Sequence, residues 1–250
     1  MITITGLNHD RDGTPTLRDI NLTLNAGGVT ALIGPNGAGK STLLALISRL
    51  IPIQQGQITV DDLRIGACAN DVLARKLAIL TQSSDAAPLL TVRELVSFGR
   101  YPYHKGRPTA QDREKVSAAI EAFGLQDLAE RRLDTLSGGQ RQRAQVAMTF
   151  AQDTDYILLD EPLNNLDIAA SRALMAVLRD LAAQHGRTIV IVLHDINYAA
   201  AYADQIVAMK DGRIAATGTP SDILNEELLK NVFDTDPVVH RIGNKVLVEV

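Results

Sequence analysis

Gly34-Pro35-Asn36-Gly37-Ala38-Gly39-Lys40-Ser41 decides the fold. Two glycines bracket four residues and a Lys-Ser pair follows, which is the phosphate-loop pattern. The stretch lies where that chemistry requires, after the apolar run Val29 to Ile33 and before a helix expected from Thr42 to about Leu50. Glycine carries no Cβ, so backbone N–H groups there can approach phosphate oxygens. Lys40 is expected to set its charge against the β- and γ-phosphates of a nucleoside triphosphate, and the Ser41 hydroxyl to ligate magnesium beside them. The candidate nucleotide-binding set here is Gly34, Pro35, Asn36, Gly37, Ala38, Gly39, Lys40, Ser41 and Thr42.

Two further motifs lie downstream. Asp160 follows the apolar run Tyr156 to Leu159, so its carboxylate emerges at a strand's C-terminal end, where open α/β sheets bind ligands. It is the expected carboxylate for magnesium, and Glu161, one residue on, is the candidate to polarise the attacking water. Leu136-Ser137-Gly138-Gly139-Gln140 reads as a capping box, a serine followed three residues later by glutamine, opening a helix whose N-terminal amides attract phosphate. Alone this is an ordinary surface cap. Beside a single phosphate loop it implies a second copy of the chain, whose bound nucleotide Ser137, Gly138, Gly139 and Gln140 would contact.

Composition permits one large α/β domain. The chain has 250 residues, 46% of them hydrophobic, and a net charge of −4, which argues against nucleic acid as a partner. Cys68 is the single cysteine, read as buried and inert, so neither a disulfide framework nor a thiolate metal cluster is expected. No stretch approaches the ~20 apolar residues that cross a bilayer, and the N-terminus lacks a secretory pattern. The expected location is therefore the cytoplasm, with any transport role falling to separate membrane-spanning subunits.

Ile2 to Thr5 and Leu17 to Leu24 alternate apolar and polar residues around an Asp12-Gly13 turn, and Gln57 to Val60 adds an arm, predicting an antiparallel sheet at the start of the chain. From about Ser84 to Asp153 the character is helical. Thr91 with Glu94 and Thr109 with Asp112 are start signals, and Val116, Ala119, Ile120 and Phe123 make one apolar face. Thr188 to Leu193 reads as a strand buried on both faces, and Leu174, Val177, Leu178 and Leu181 as a helical stripe ended by Gly186. Ile206 to Ile214 is a hairpin about Asp211-Gly212, and Val238 to Ile242 with Lys245 to Val250 form a terminal pair joined at Gly243-Asn244.

Taken in order, these motifs resemble the ATP-binding subunit of an ABC transporter over nearly the whole chain. The resemblance implies an α/β phosphate-loop NTPase (RecA-like) core at 1–83 and 154–235, a helical subdomain at 84–153 carrying the signature, and a β tail at 236–250. It picks out Gln82 as the residue that touches both magnesium and the membrane partner, Asn165-Leu166-Asp167 as the segment facing the twin, and His194 as the γ-phosphate sensor. Lys40, Gln82, Glu161 and His194 are the implied catalytic set; Ser41, Gln82 and Asp160 are the implied magnesium set. Relatives stack an aromatic ring on adenine. By spacing from Leu17 its place falls to Arg11, with the His9 ring the alternative.

Implied cofactors are ATP and Mg2+; implied partners are a second copy, membrane-spanning permease subunits and, indirectly, a substrate-binding protein. Phe98-Gly99-Arg100-Tyr101-Pro102-Tyr103-His104 looks like the corresponding stretch in ATPases of ferric-siderophore, haem and cobalamin uptake, most of all the iron-siderophore group. On local sequence it reads equally as an exposed loop with proline-made turns. A chromosome- or ribosome-acting ABC ATPase is the other reading, and neither coiled-coil heptads nor a second cassette supports it.

Overall fold

The computed structural model describes residues 1–81, 89–243 and 245–249. Along the chain run β1 (Ile2–Arg11), β2 (Thr14–Leu24), β3 (Gly28–Ile33), α1 (Lys40–Ile47), β4 (Gln55–Val60) and β5 (Leu63–Arg64). Next come α2 (Asn70–Lys76), β6 (Leu77–Leu80), α3 (Val92–Phe98), α4 (Tyr101–His104), α5 (Ala110–Ala122), α6 (Gly138–Ala151), β7 (Tyr156–Asp160) and α7 (Ile168–His185). The chain then forms β8 (Thr188–Val192), α8 (Ile196–Tyr202), β9 (Gln205–Lys210), β10 (Arg213–Gly218), α9 (Pro220–Ile223), α10 (Glu226–Phe233), β11 (Val238–Ile242) and β12 (Lys245–Glu249). They fall into two compact units, Met1–Cys68 with Thr188–Val250, and Ala69–Arg187.

In the first unit, β1 pairs antiparallel with β2 and β4, giving the sheet order β2-β1-β4-β5. Ile2, Ile4, Leu7, Leu17, Ile20 and Leu24 point inward from it. Register shifts between Ile4 and Leu7 and between Leu7 and His9 break the alternation, which is why the run legible in sequence stops at Thr5 while the strand continues to Arg11. A second set of strands lies in the order β10-β9-β3-β8, with β8 and β9 parallel to β3 and β10 antiparallel at the edge. Val29, Ala31, Leu32 and Ile33 are buried together with Ile189–Val192 and Ile206–Met209, as strands covered on both faces require.

The helix after the phosphate loop begins two residues before the expected Thr42 and stops at Ile47 rather than Leu50. Gly39, in the left-handed region, opens it, and the Ser48 hydroxyl folds back on the Leu44 carbonyl at 2.8 Å where it ends. Cys68 is half-exposed, against the expectation of burial, because it lies in a surface turn where the Arg49 guanidinium grips its carbonyl at 2.6 Å. The terminal hairpin pairs Ile242 with Lys245; its expected turn residue Asn244 and last residue Val250 lie outside the described residues.

The second unit holds the parallel pair β6 and β7, with Leu77 opposite Tyr156 and Leu80 opposite Leu159. Around it pack helices opened by capping boxes. Thr91 with Glu94 starts α3, Thr109 with Asp112 starts α5, and Ser137 with Gln140 starts α6, each with both reciprocal hydrogen bonds in place. Val116, Ala119, Ile120 and Phe123 are all buried, and Phe123 meets Phe150 of α6 edge to face at 5.8 Å. Leu174, Leu178 and Leu181 form the buried stripe of α7, joined by Met175, while Val177 is only half-buried. The stretch from Phe98 to His104 is not a loop: Tyr101–His104 makes a helical turn with Pro102 in its first positions, where a missing N–H costs nothing.

Candidate functional site

The first unit presents the phosphate loop. Strand β3 ends at Ile33 and α1 begins at Lys40, so residues 34–39 make the turn between them. Gly39 takes φ 97°, and a Cβ on it would stand 2.6 Å from Leu17 Cδ2 and 2.8 Å from the Thr16 carbonyl oxygen, so only glycine fits. Helix α1 therefore starts without any side-chain cap, and its first amides are directed into the loop. Lys40 is 5% exposed, its ammonium donating to the carbonyls of Gly34 at 2.7 Å and Pro35 at 2.9 Å, which holds the positive charge inside the loop. Ser41 is exposed, Thr42 half-buried, and Asn36 and Gly37 form the exposed crest. Such a cradle of backbone donors with one ammonium and one hydroxyl is built for a polyphosphate.

His194 is exposed just beyond β8, in the same unit, and Asp195 caps the following helix through the Asn197 amide at 2.8 Å. The two adenine candidates separate. His9 is 8% exposed, an inward-facing residue of β1 opposite Leu17, with Nδ1 lacking a partner among the described residues. Arg11 is exposed at the strand's end. An inward ring cannot stack on an incoming base, so of the two only Arg11 has a reachable planar face.

The second unit presents the acids and the signature. Asp160 is the last residue of β7 and 6% exposed. Glu161 turns out of the strand with φ 52°, and its carboxylate Oε2 accepts from Asn164 Nδ2 at 2.7 Å. Asn164 thus spends its amide on orienting Glu161, a role that its position in Pro162-Leu163-Asn164-Asn165 did not disclose. Asp167 caps α7 by accepting from the Ala170 amide at 2.7 Å. Gln82 lies outside the described residues.

At the signature, the Gln140 amide donates to Ser137 Oγ at 3.2 Å and the Ser137 amide donates to Gln140 Oε1 at 3.0 Å. With the box closed, the N-terminal amides expected to attract phosphate are those of Gly138 and Gly139, which occupy the first two helical positions, joined by the Ser137 O–H, still able to donate. A Cβ on Gly139 would sit 3.1 Å from Leu166 Cδ2, so that glycine lets Asn165-Leu166 lie close against the helix.

Among the described residues no group of three or more His, Cys, Asp or Glu could cage a metal ion. Magnesium needs no such cage: it takes one or two protein oxygens, with phosphates and waters completing its shell. Ser41 and Asp160 are donors of that kind.

Fold and loop together define a phosphate-loop nucleoside triphosphatase with a capping-box signature. The chain belongs to the ABC transporter family, whose model matches residues 17–164, and it is an ATP-binding ATPase. It is 45% identical to the petrobactin import ATP-binding protein YclP of Bacillus subtilis, over 98% of this chain and 97% of that one. It is 42% identical to the ferric enterobactin transport ATP-binding protein FepC of Escherichia coli, covering 85% and 80% of the two chains. Among solved structures it resembles the dimer of an ATP-binding cassette in a post-hydrolysis state bound to ADP and Pi, at a TM-score of 0.79 and 27% identity, covering 88% of this chain and 99% of that one.

Proposed function

We propose that this chain hydrolyses ATP to power import of an iron-siderophore complex, acting at the cytoplasmic face of the membrane as a head-to-tail pair that encloses two Mg-ATP. In each half, Lys40 and Ser41 hold the triphosphate, Asp160 and Ser41 hold magnesium, which neutralises charge on the phosphates, Glu161 orients the attacking water and His194 senses the γ-phosphate. Gln82 adds a magnesium contact and meets the permease, and Arg11 lies against adenine. Ser137, Gly138 and Gly139 of the other copy close the site, with Asp167 at the seam. Membrane-spanning permease subunits take up the movement, since among the described residues no helix is long and apolar enough to cross a membrane. A substrate-binding protein delivers cargo to those subunits, not to this chain.

The observation that supports pairing most is the glycine-led start of α6, with the Gly138 and Gly139 amides and the Ser137 hydroxyl left as donors at an exposed helix end. The names of the relatives, which import petrobactin, ferric enterobactin or iron(3+)-hydroxamate, support the cargo.

Glu161→Gln keeps shape and removes charge at the water, so ATP affinity should stay and turnover should fall roughly 10²-fold or more. Ser137→Arg in that background should leave ATP binding by a single chain intact while abolishing ATP-driven dimerisation in sedimentation. A dimer formed by the Arg variant removes the pairing. Cargo is read from growth on a ferric siderophore as sole iron source: a deletion strain that grows normally there removes the import assignment.

A further inference from the structure

Within Phe98 to His104 one side chain has no part in the nucleotide chemistry yet is among the most constrained in the second unit. Arg100 is 4% exposed. Its Nε donates to Asp112 Oδ1 at 3.1 Å, its Nη1 donates to the carbonyls of Ala151 at 3.1 Å and Gln152 at 3.3 Å, and its guanidinium stands 3.9 Å from the centre of the Tyr103 ring. Those two carbonyls close the C-terminal end of α6, the helix that starts at Ser137. A cation there is favoured by the helix dipole, and reaching a carboxylate along one edge while gripping carbonyls with another uses the rigid guanidinium fork, which lysine lacks.

The turn that Arg100 holds is a junction. Tyr103 Oη donates to the Asp153 carbonyl at 3.4 Å, Lys115 pairs with Asp153 at 2.8 Å, and Arg187 donates to the Thr154 carbonyl at 2.6 Å. Gln152 Nε2 donates to the carbonyls of Ala74 at 2.6 Å and Leu77 at 3.2 Å, where α2 passes into β6. Beyond the turn the chain enters β7, which ends at Asp160. The signature helix and the acidic strand therefore meet at one clamped point.

The geometry points to Arg100 as the positioning residue of the signature: by holding the C-terminal carbonyls of α6 against α4 and α5, it sets where Ser137, Gly138 and Gly139 are presented to a second copy's nucleotide. Helix α6 has 14 residues, roughly 21 Å at 1.5 Å per residue, and transmits a shift at one end to the other as a rod. Replacing a buried ion pair whole by apolar groups of like volume is often neutral, whereas removing one partner strands the other's charge, so stability is compared through the control below. What apolar atoms cannot reproduce is the fixed position of two carbonyls. This assignment rests on the head-to-tail pairing proposed above.

The test uses the full chain with Glu161→Gln, so that ATP is bound and not consumed. Arg100→Met, Arg100→Lys and, as control, Val116→Ala are added singly; Val116 is buried on α5 and lines the same cavity as Arg100 and Asp112, but its apolar side chain makes none of the hydrogen bonds or ion pairs at the turn. Single-chain ATP affinity should stay within about twofold in all three, because none of the substituted residues belongs to the phosphate loop. For Arg100→Met the protein concentration giving half-dimer should rise about tenfold or more, with partial recovery in Arg100→Lys, which keeps charge without the fork. Val116→Ala should shift it less than about twofold even where it lowers the melting temperature as much.

Equal dimerisation in Arg100→Met and its parent, or equal weakening in the control, overturns the assignment. Amide exchange of residues 137–141 without nucleotide tests positioning apart from pairing: faster exchange in the Arg100 variants than in Val116→Ala is expected, and identical exchange overturns it. A parent that fails to dimerise at all defeats the pairing and leaves that second measurement decisive.

Discussion

Two helices start at phosphate-seeking sequences and start differently. Helix α1 opens on a glycine in the left-handed region with no side-chain cap, so its amides belong to the loop and to whatever anion the loop holds. Helix α6 opens on Ser137, whose hydroxyl and Gln140 amide close a box before any ligand arrives. A glycine in the left-handed region, with no room for a Cβ, makes the first a binding site by construction. The second is a self-satisfied helix end that keeps three donors in reserve, suited to a ligand brought by another molecule.

The largest effect should come from the loop's charge. Lys40→Ala removes the ammonium held at the Gly34 and Pro35 carbonyls, and turnover should fall by roughly 10²-fold or more, with weakened ATP binding. Equivalent removal of donors at α6 should leave single-chain ATP binding alone. Measured nucleotide affinities for the two regions, side by side, break the comparison if they fall together.

The same substitution then separates the two starts on stability. Gly39→Ala forces a Cβ to 2.6 Å from Leu17 Cδ2 at a φ that side chains avoid, and should cost about 1–3 kcal/mol. Gly138→Ala places its Cβ 3.4 Å from Asn165 Cβ, an ordinary contact, in a helical position where alanine gains up to about 1 kcal/mol over glycine. Denaturation midpoints should move in opposite directions or, for Gly138→Ala, not at all. A stability loss at Gly138 matching that at Gly39 would make the signature glycines structural.

The boxes themselves differ in charge at their third position. In α5 that residue is Asp112, 4% exposed, where burial pushes the carboxyl pKa up but hydrogen bonds from the Thr109 amide and hydroxyl and from Arg100 outweigh it, leaving about 2. A pKa lowered on folding adds stability that is complete above the unfolded value of 3.8 and is lost as pH falls through about 2. The stability gap between the native chain and Asp112→Asn, roughly 2 kcal/mol at pH 6 from that shift, should close toward pH 2. In α6 the position holds Gln140, so no such closure is expected for Gln140→Ala; thermal melts from pH 6 to pH 2 read both.

Most of this contrast is visible in the sequence, because it is local. Phosphate loop, capping boxes, the Asp211-Gly212 hairpin and the stripe ended by Gly186 each depend on residues within a few positions of one another. What was not legible depends on distance along the chain. Burial of His9 follows from the register shifts of β1 against β2, and no run of eight residues announces a bulge. Arg100 finds its acceptors 12, 51 and 52 residues away. The helical turn Tyr101–His104 competes with a proline-turn reading until the buried Arg100 and half-buried Tyr103 pin it. Helix α10 carries a local signal as well, Asn225 capping through the Leu228 amide with Glu226 and Glu227 in the first turn, but no functional motif accompanies it.

The smallest expected effect is also the finest division of roles. Ser137 Oγ accepts from Gln140, which serves folding, and its hydrogen remains to be donated, which in the proposed pairing serves a phosphate. Ser137→Ala removes both and should cost about 1 kcal/mol together with ATP-driven dimerisation. Ser137→Asn caps a helix about as well as serine, so stability should return to within a few tenths of a kcal/mol. Its amide, however, sits farther out and replaces a rotating hydroxyl by a planar group, so the dimer should stay weak. Recovery of stability and dimerisation together in the asparagine variant would reduce Ser137 to a cap and leave the two glycine amides as the whole of the reserve.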